Sequence, residues 1–195
     1  MTPRRLFPVV AATMLATGAL ASAAQSPKYP PVPKSKLFGR IAYSTPGGDI
    51  WVMNANGSCR HQVTHSGSGH DFNPAWAPDG RRLIFRTSRG HYQPDLYGNG
   101  LEGLFVVDVD GTNEREIEPP TGGMAADWSP RRDRIAFSGL RAGKKFDTLF
   151  LMNPDGTGVH DLGTEFGSEG AVWSPAGTRI EYGAHNGDGN WRSGR

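Results

Sequence analysis

His65-Ser-Gly-Ser-Gly-His-Asp71 gathers hydroxyls, imidazoles and a carboxylate in one short stretch. Those are the groups of a nucleophilic relay, but relay members meet in space rather than in sequence. No Gly-x-Ser-x-Gly elbow accompanies them, and a polar loop is the plainer reading. His61, His65, His70 and Asp71 could also ligate a metal. His61 and His65 have helical spacing, yet they fall at a strand end and in a loop, so a specific bend would be needed for convergence. Asp108-Val-Asp-Gly-Thr-Asn113 has the opening of a calcium loop but lacks the alternate acidic or amide ligands and the later Glu. A hairpin turn accounts for it. No catalytic residue, metal or cofactor is therefore expected.

A second group of residues suits binding. His91, Tyr92 and Tyr97 lie within residues 87–103, a stretch too long for a tight hairpin, and Arg141, Lys144 and Phe146 lie within 139–148. Exposed aromatics beside cations fit contact with a protein or a glycan; ordinary variable loops are the competing reading. The pairs Arg81-Arg82, Arg131-Arg132 and Lys144-Lys145 are scattered through a nearly neutral chain and form no nucleic-acid stripe.

The elements that must carry these loops are short strands. No sustained helical stripe occurs; runs of β-branched and aromatic residues alternate with Gly, Pro, Asn and Asp clusters instead. The runs repeat. Pro74-Ala-Trp-Ala-Pro-Asp-Gly80, Ala126-Asp-Trp-Ser-Pro130 and Ala171-Val-Trp-Ser-Pro-Ala-Gly177 place tryptophan at 76, 128 and 173, with Pro78, Asp79, Gly80, Pro130 and Pro175 in the turns. Each is followed by a second run: Arg82-Leu-Ile-Phe85, Arg134-Ile-Ala-Phe137 or Arg179-Ile-Glu-Tyr182. Arg40-Ile-Ala-Tyr43 stands ahead of all three. A third run ends in an Asn-Gly or Asp-Gly turn at Gly57, Gly111 and Gly156, and a weaker fourth follows each turn. The unit is a four-stranded antiparallel meander, strands A to D, with Trp76, Trp128 and Trp173 expected to pack between neighbouring sheets. Such units are propeller blades, which must stack to bury both faces. B–C and D–A loops then emerge at one end, which groups His70 with the two loops above.

The repeat resembles the TolB-type propeller repeat, with its Trp-Ser-Pro-Asp-Gly turn, over residues 38–183. Asp71-Phe-Asn-Pro-Ala-Trp-Ala-Pro-Asp-Gly80 is the fullest copy, while Arg131, Ala176 and Ala77 depart from the pattern. The resemblance implies a secreted or periplasmic binding propeller that recruits proteins. The alternative it implies is part of a propeller enzyme, either oligogalacturonate-lyase-like or the gating propeller of a prolyl-oligopeptidase-like peptidase. The peptidase would require a hydrolase domain, and the lyase a histidine metal cluster.

Residues 1–24 read as a secretory signal peptide: basic Arg4 and Arg5, an apolar stretch from Leu6 to Leu20, and the small-x-small site Ala21-Ser22-Ala23. Its removal leaves 19 basic and 19 acidic residues and no membrane span. Residues 25–36 read as a Pro/Lys-rich tether, 37–183 as blades, and 184–195 as an irregular tail, the unfinished part of a blade. With Gly at 27 and Pro at 15 of 195 residues, the composition is that of a turn-rich all-β fold.

The strand runs come to three blades plus partial strands, short of the about four blades a closed ring needs. A shortened copy of a longer propeller, self-association that completes the propeller, and an open array with an exposed edge all remain open.

Overall fold

The computed structural model describes residues 33–89, 103–117, 123–140, 147–164, 167–185 and 191–194. Among them the fold is all-β, with four antiparallel sheets and no α-helix. The first sheet is β1 (Arg40–Ser44), β2 (Ile50–Asn54) and β3 (His61–Gln62). The second is β4 (Asp71–Trp76), β5 (Arg82–Thr87), β6 (Gly103–Asp108) and β7 (Arg115–Glu116). The third is β8 (Gly123–Trp128), β9 (Ile135–Leu140), β10 (Asp147–Met152) and β11 (His160–Asp161). The fourth is β12 (Gly167–Trp173), β13 (Ile180–His185) and β14 (Trp191–Gly194). These are the B-C-D, A-B-C-D, A-B-C-D and A-B-C strands of successive blades.

Two expectations change. The tail beyond residue 184, read as irregular, contains β14, which pairs antiparallel with β13 through Ala184↔Arg192 and Gly183↔Ser193. The alternation in Trp191-Arg-Ser-Gly194 is too short and polar to announce a strand; pairing to β13 defines it. The described end of the expected tether is a single 3-10 turn over Lys34–Lys36, entered from Pro33 with φ −56°. The proline ring presets that angle. Residues 1–32 lie outside the described residues.

Successive sheets stack face to face. Between the first and second, Ile50, Val52 and Val63 meet Leu83, Phe85 and Val107, with Trp76 packed alongside. Ile84, Leu104 and Val106 meet Phe137, Phe150 and Met152 around Trp128 at the next contact. Ala136 and Leu149 meet Ala171, Trp173, Ile180 and Tyr182 at the last. Each contact thus holds the tryptophan of the downstream blade, as the repeat predicts. Trp128 is buried and Trp76 and Trp173 are half-buried; a fully buried ring is worth about 3–5 kcal/mol. The indole N–H groups of Trp128 and Trp173 find no hydrogen-bond partner among the described residues, so these rings act through volume and face. Arg40 and Arg82, each opening a B strand, lie over Trp76 and Trp128 at 4.6 and 5.2 Å from the ring centroids.

Directional bonds fix how each sheet sits on the next. Arg40 Nη2 donates to Gly80 O, Arg131 Nε donates to Ala176 O at 3.3 Å, and Trp173 N–H donates to Asp127 Oδ2 at 2.8 Å. The inner strands of consecutive blades touch: β1 with β4, β4 with β8, and β8 with β12. Among the described residues, β12–β14 adjoin the third sheet and not the first. Among these residues the stack is an open arc.

The turns explain the Asn-Gly and Asp-Gly motifs. Thr112 N–H and Oγ1–H both donate to Asp110 Oδ1, and Thr157 repeats this on Asp155. These donors, the hydroxyl first, hold both carboxyls below their ordinary value. In the A–B turns the fourth residue donates back to the first: Gly80 to Ala77, Arg132 to Ser129, and Gly177 to Ser174, each at 2.8 Å. That residue has φ +67° at Gly80 and +63° at Gly177, and Arg132 adopts +66° in the third blade. A left-handed backbone costs a non-glycine residue about 1–2 kcal/mol. Arg132→Gly is therefore expected to stabilise the chain by about 0.5–1 kcal/mol after allowing for the looser unfolded chain. Urea denaturation measures this, with Arg132→Ala, which keeps the Cβ, giving no gain.

Candidate functional site

The strand ends that carry the B–C and D–A loops converge at one end of the arc, as the repeat requires. Asp71, the first residue of β4, lies opposite Thr87, the last of β5, which in turn lies opposite Gly103, the first of β6. The D–A loop from His65 to His70 is tied to both neighbouring B–C loops. Asp71 N–H donates to Gly48 O at 2.7 Å, and Ser88 N–H donates to His70 O at 2.9 Å. His70 N–H donates to Ser88 Oγ at 2.9 Å.

Two carboxylates hold this end together. Asp49 accepts from Ser66 N–H at 2.7 Å, Ser66 Oγ–H at 2.8 Å and Gln62 Nε2–H at 2.8 Å. It thereby anchors the first B–C loop to the start of the D–A loop. Asp71 is fully buried. Its Oδ1 accepts from Thr87 Oγ1–H at 2.7 Å and Arg89 Nε–H at 3.0 Å. Arg89 continues to Glu114 Oε1 at 2.7 Å and lies over the rings of Phe85 and Phe105 at 5.7 and 5.4 Å. Beside it, Arg86 lies over Phe72 at 4.9 Å, and the His70 ring stacks on Phe72 at 5.7 Å.

Of the residues read as binding candidates, His70 is on this end and exposed. His91, Tyr92, Tyr97, Arg141, Lys144 and Phe146 lie outside the described residues, though the strands that launch their loops, β5 and β6, β9 and β10, open at this end. The histidines do not converge on one point. His61 faces the backbone carbonyls of Cys59 and Val109, His65 meets Gln62 Nε2, and His70 stacks on Phe72. Among the described residues no three His, Cys, Asp or Glu side chains form a metal-holding group. Ser66 is buried with its hydroxyl donated to Asp49, which is the bond of a loop anchor and not of an activated nucleophile.

The Asp71–Thr87–Arg89–Glu114 chain was not singled out from the sequence. The only signal was Asp71 at the head of the fullest repeat copy; Arg89 and Glu114 are 25 residues apart and carry no motif.

On the inner strand, burial pushes the Asp127 carboxyl above its ordinary value, against the opposing pull of N–H groups from Trp173 and Trp128. An acid with a raised folded pKa lowers stability when it is ionised, and the penalty fades as pH falls through that pKa. Asp127→Asn is expected to raise the melting temperature at neutral pH. The gain should shrink on acidification and vanish below about 3.8, where the carboxyl is protonated in both states. Melting curves across a pH series measure it, and a gain that stays constant with pH would exclude charge as its cause. Thr87→Val removes a donor from a buried carboxylate and is expected to cost about 1.5–3 kcal/mol in urea denaturation.

Comparison with known proteins follows the same lines. No family model matches the chain. It is 33% identical over 85 residues to the Tol-Pal system protein TolB of Rhizorhabdus wittichii and 34% identical over 85 residues to that of Zymomonas mobilis. The match takes in 43% of this chain and 17% and 16% of those proteins, so it spans about a sixth of their length. Among solved structures, TolB from Acinetobacter baumannii superposes with a TM-score of 0.62 at 17% identity, over 79% of this chain and 37% of that one. Oligogalacturonate lyase from Vibrio parahaemolyticus gives 0.58 at 14% identity, over 75% and 44%. The sequence is thus similar to part of TolB over those 85 residues, and the sheets are propeller blades.

Proposed function

We propose that this chain is a secreted or periplasmic, non-catalytic binding module that presents the loop end of its blades to a protein partner. The observation that carries the reading is the 33% identity over 85 residues to a Tol-Pal system component. The pattern of Arg4, Arg5, the apolar stretch and Ala21-Ser22-Ala23 supports export. No helix among the described residues is long and apolar enough to cross a membrane.

The loop end suits the task physically. Asp49 and Asp71 brace its described base, so the exposed His70 loses little conformational freedom on binding. We assign contacts to His70, His91, Tyr92 and Tyr97 on the second blade's side, and to Arg141, Lys144 and Phe146 on the third. Flat aromatic rings supply buried area, and the cations supply orientation and on-rate.

The test is titration calorimetry of the full chain against the other proteins of the Tol-Pal system of the organism that makes it, with oligogalacturonate as a glycan probe. Saturable binding to one protein is expected, weakened about tenfold or more by the pair Tyr92→Ala and Tyr97→Ala. Binding of oligogalacturonate alone would make the partner a glycan. Cleavage of that glycan, with stoichiometric manganese or zinc in the purified chain, would replace the binding reading with a lyase.

A further inference from the structure

Among the described residues every blade face inside the arc is covered by a neighbouring sheet, and the two end faces are not. The rule inside the arc is simple. Side chains alternate along each strand, so one set meets the upstream blade and the other the downstream blade. In the second blade Leu83, Phe85, Phe105 and Val107 meet the first blade, while Ile84, Leu104 and Val106 meet the third.

The first blade keeps the residues of that rule where no neighbour stands. Ala42, Ile50 and Val52 face the second blade. Ile41, Tyr43, Trp51 and Met53 alternate with them and fall opposite one another across β1 and β2 as Ile41↔Met53 and Tyr43↔Trp51. By repeat register they are the counterparts of Leu83, Phe85, Phe105 and Val107. Leu83, Phe85 and Val107 are almost wholly buried. Ile41 is 41% exposed, Tyr43, Trp51 and Met53 are half-buried, and Phe38 nearby is 87% exposed. The face also carries a cation: the Arg60 guanidinium lies over Trp51 at 4.6 Å and Tyr43 at 5.9 Å.

The other end of the arc carries the complement. Ala171, Trp173, Ile180 and Tyr182 face the third blade. Val172 and Glu181, directly opposite each other on β12 and β13, fall on the far side. Val172 is 56% exposed and Glu181 is exposed. Their register counterparts, the Ala75↔Ile84 pair, help to cover the third blade. The Glu181 carboxylate on the downstream face is thus the charge complement of Arg60 on the aromatic upstream face.

We propose that two copies of this chain associate head to tail. The first-blade face of Ile41, Tyr43, Trp51 and Met53 packs on the fourth-blade face of Val172 of the second copy, with Arg60 against Glu181. The contact continues the stacking used inside the arc in the same register, with Glu181 in the place of Ile84. It is heterologous, so a pair closes only if both ends are engaged. Four sheets from each copy give eight, within the range of about four to eight blades seen in closed propellers. Closure would also cover two apolar faces of the kind that otherwise invite non-specific association.

Sedimentation equilibrium and light scattering on the full chain test this. The expected mass is twice 21.0 kDa. Trp51→Glu at one end and Val172→Glu at the other are each expected to weaken association about a hundredfold while leaving the far-ultraviolet circular dichroism unchanged. Arg60→Glu and Glu181→Arg should each weaken it, and the two together should restore it. A chain that stays monomeric at high concentration overturns the proposal. So does a dimer lost with Trp51→Glu but untouched by Val172→Glu and Glu181→Arg, because that pattern marks two first-blade faces meeting each other. None of these readouts depends on the loop-end partner.

Discussion

The second and third sheets of this protein are apolar on both faces, and this requirement governs the rest of the structure. A half-buried antiparallel sheet alternates apolar and polar residues. Here Leu83, Ile84 and Phe85 are consecutive on β5 and all three are buried; Ile135, Ala136 and Phe137 do the same on β9. A strand of that composition has no side to offer water. The arrangement that satisfies it places such a sheet between two others, as the second and third sheets are placed here. The tryptophans answer the same need, each filling space between its own inner strand and the preceding blade.

Apolar packing alone would let the sheets slide over one another. Polar contacts remove that freedom. Arg40 to Gly80, Arg131 to Ala176 and Trp173 to Asp127 each join the inner half of one blade to the next. At the outer half, His61 reaches Val109 O at 3.0 Å. The turn glycines take part as well. A Cβ on Gly111 would come within 2.9 Å of Val63 O, and one on Gly156 within 2.7 Å of Ile117 Cγ2. These turns are glycine both because φ is positive and because the preceding blade lies against them.

The two ends of the strands have different roles. Tight turns close one end, with Asp79, Asp110 and Asp155 accepting backbone N–H bonds from residues two further on. The other end carries the longer connections, braced by Asp49 and by the buried Asp71 with Thr87 and Arg89. The cores between the blades are built largely from strand residues below this base. Binding chemistry placed there is separated from the packing that holds the arc together.

The repeat was legible because each of its signals is local. An Asn-Gly or Asp-Gly pair, a Trp followed by Ser-Pro or Ala-Pro, and an Arg opening a short apolar run each report on a few neighbouring residues. Together they marked the A, B and C strands and the positions of Trp76, Trp128 and Trp173 between sheets. The D strands were legible only as weak runs, since each pairs through two residues. What sequence alone did not disclose depends on residues far apart in the chain. β14 exists through its pairing to β13. The left-handed backbone at Arg132 follows from the turn that its register with the other blades imposes. Asp71, Thr87, Arg89 and Glu114 meet only because β4, β5 and β7 are brought side by side. Local spacing determined the kind of blade. Pairing and stacking between distant segments decided how many sheets form, which charges are buried, and which faces of the arc are left without a neighbour.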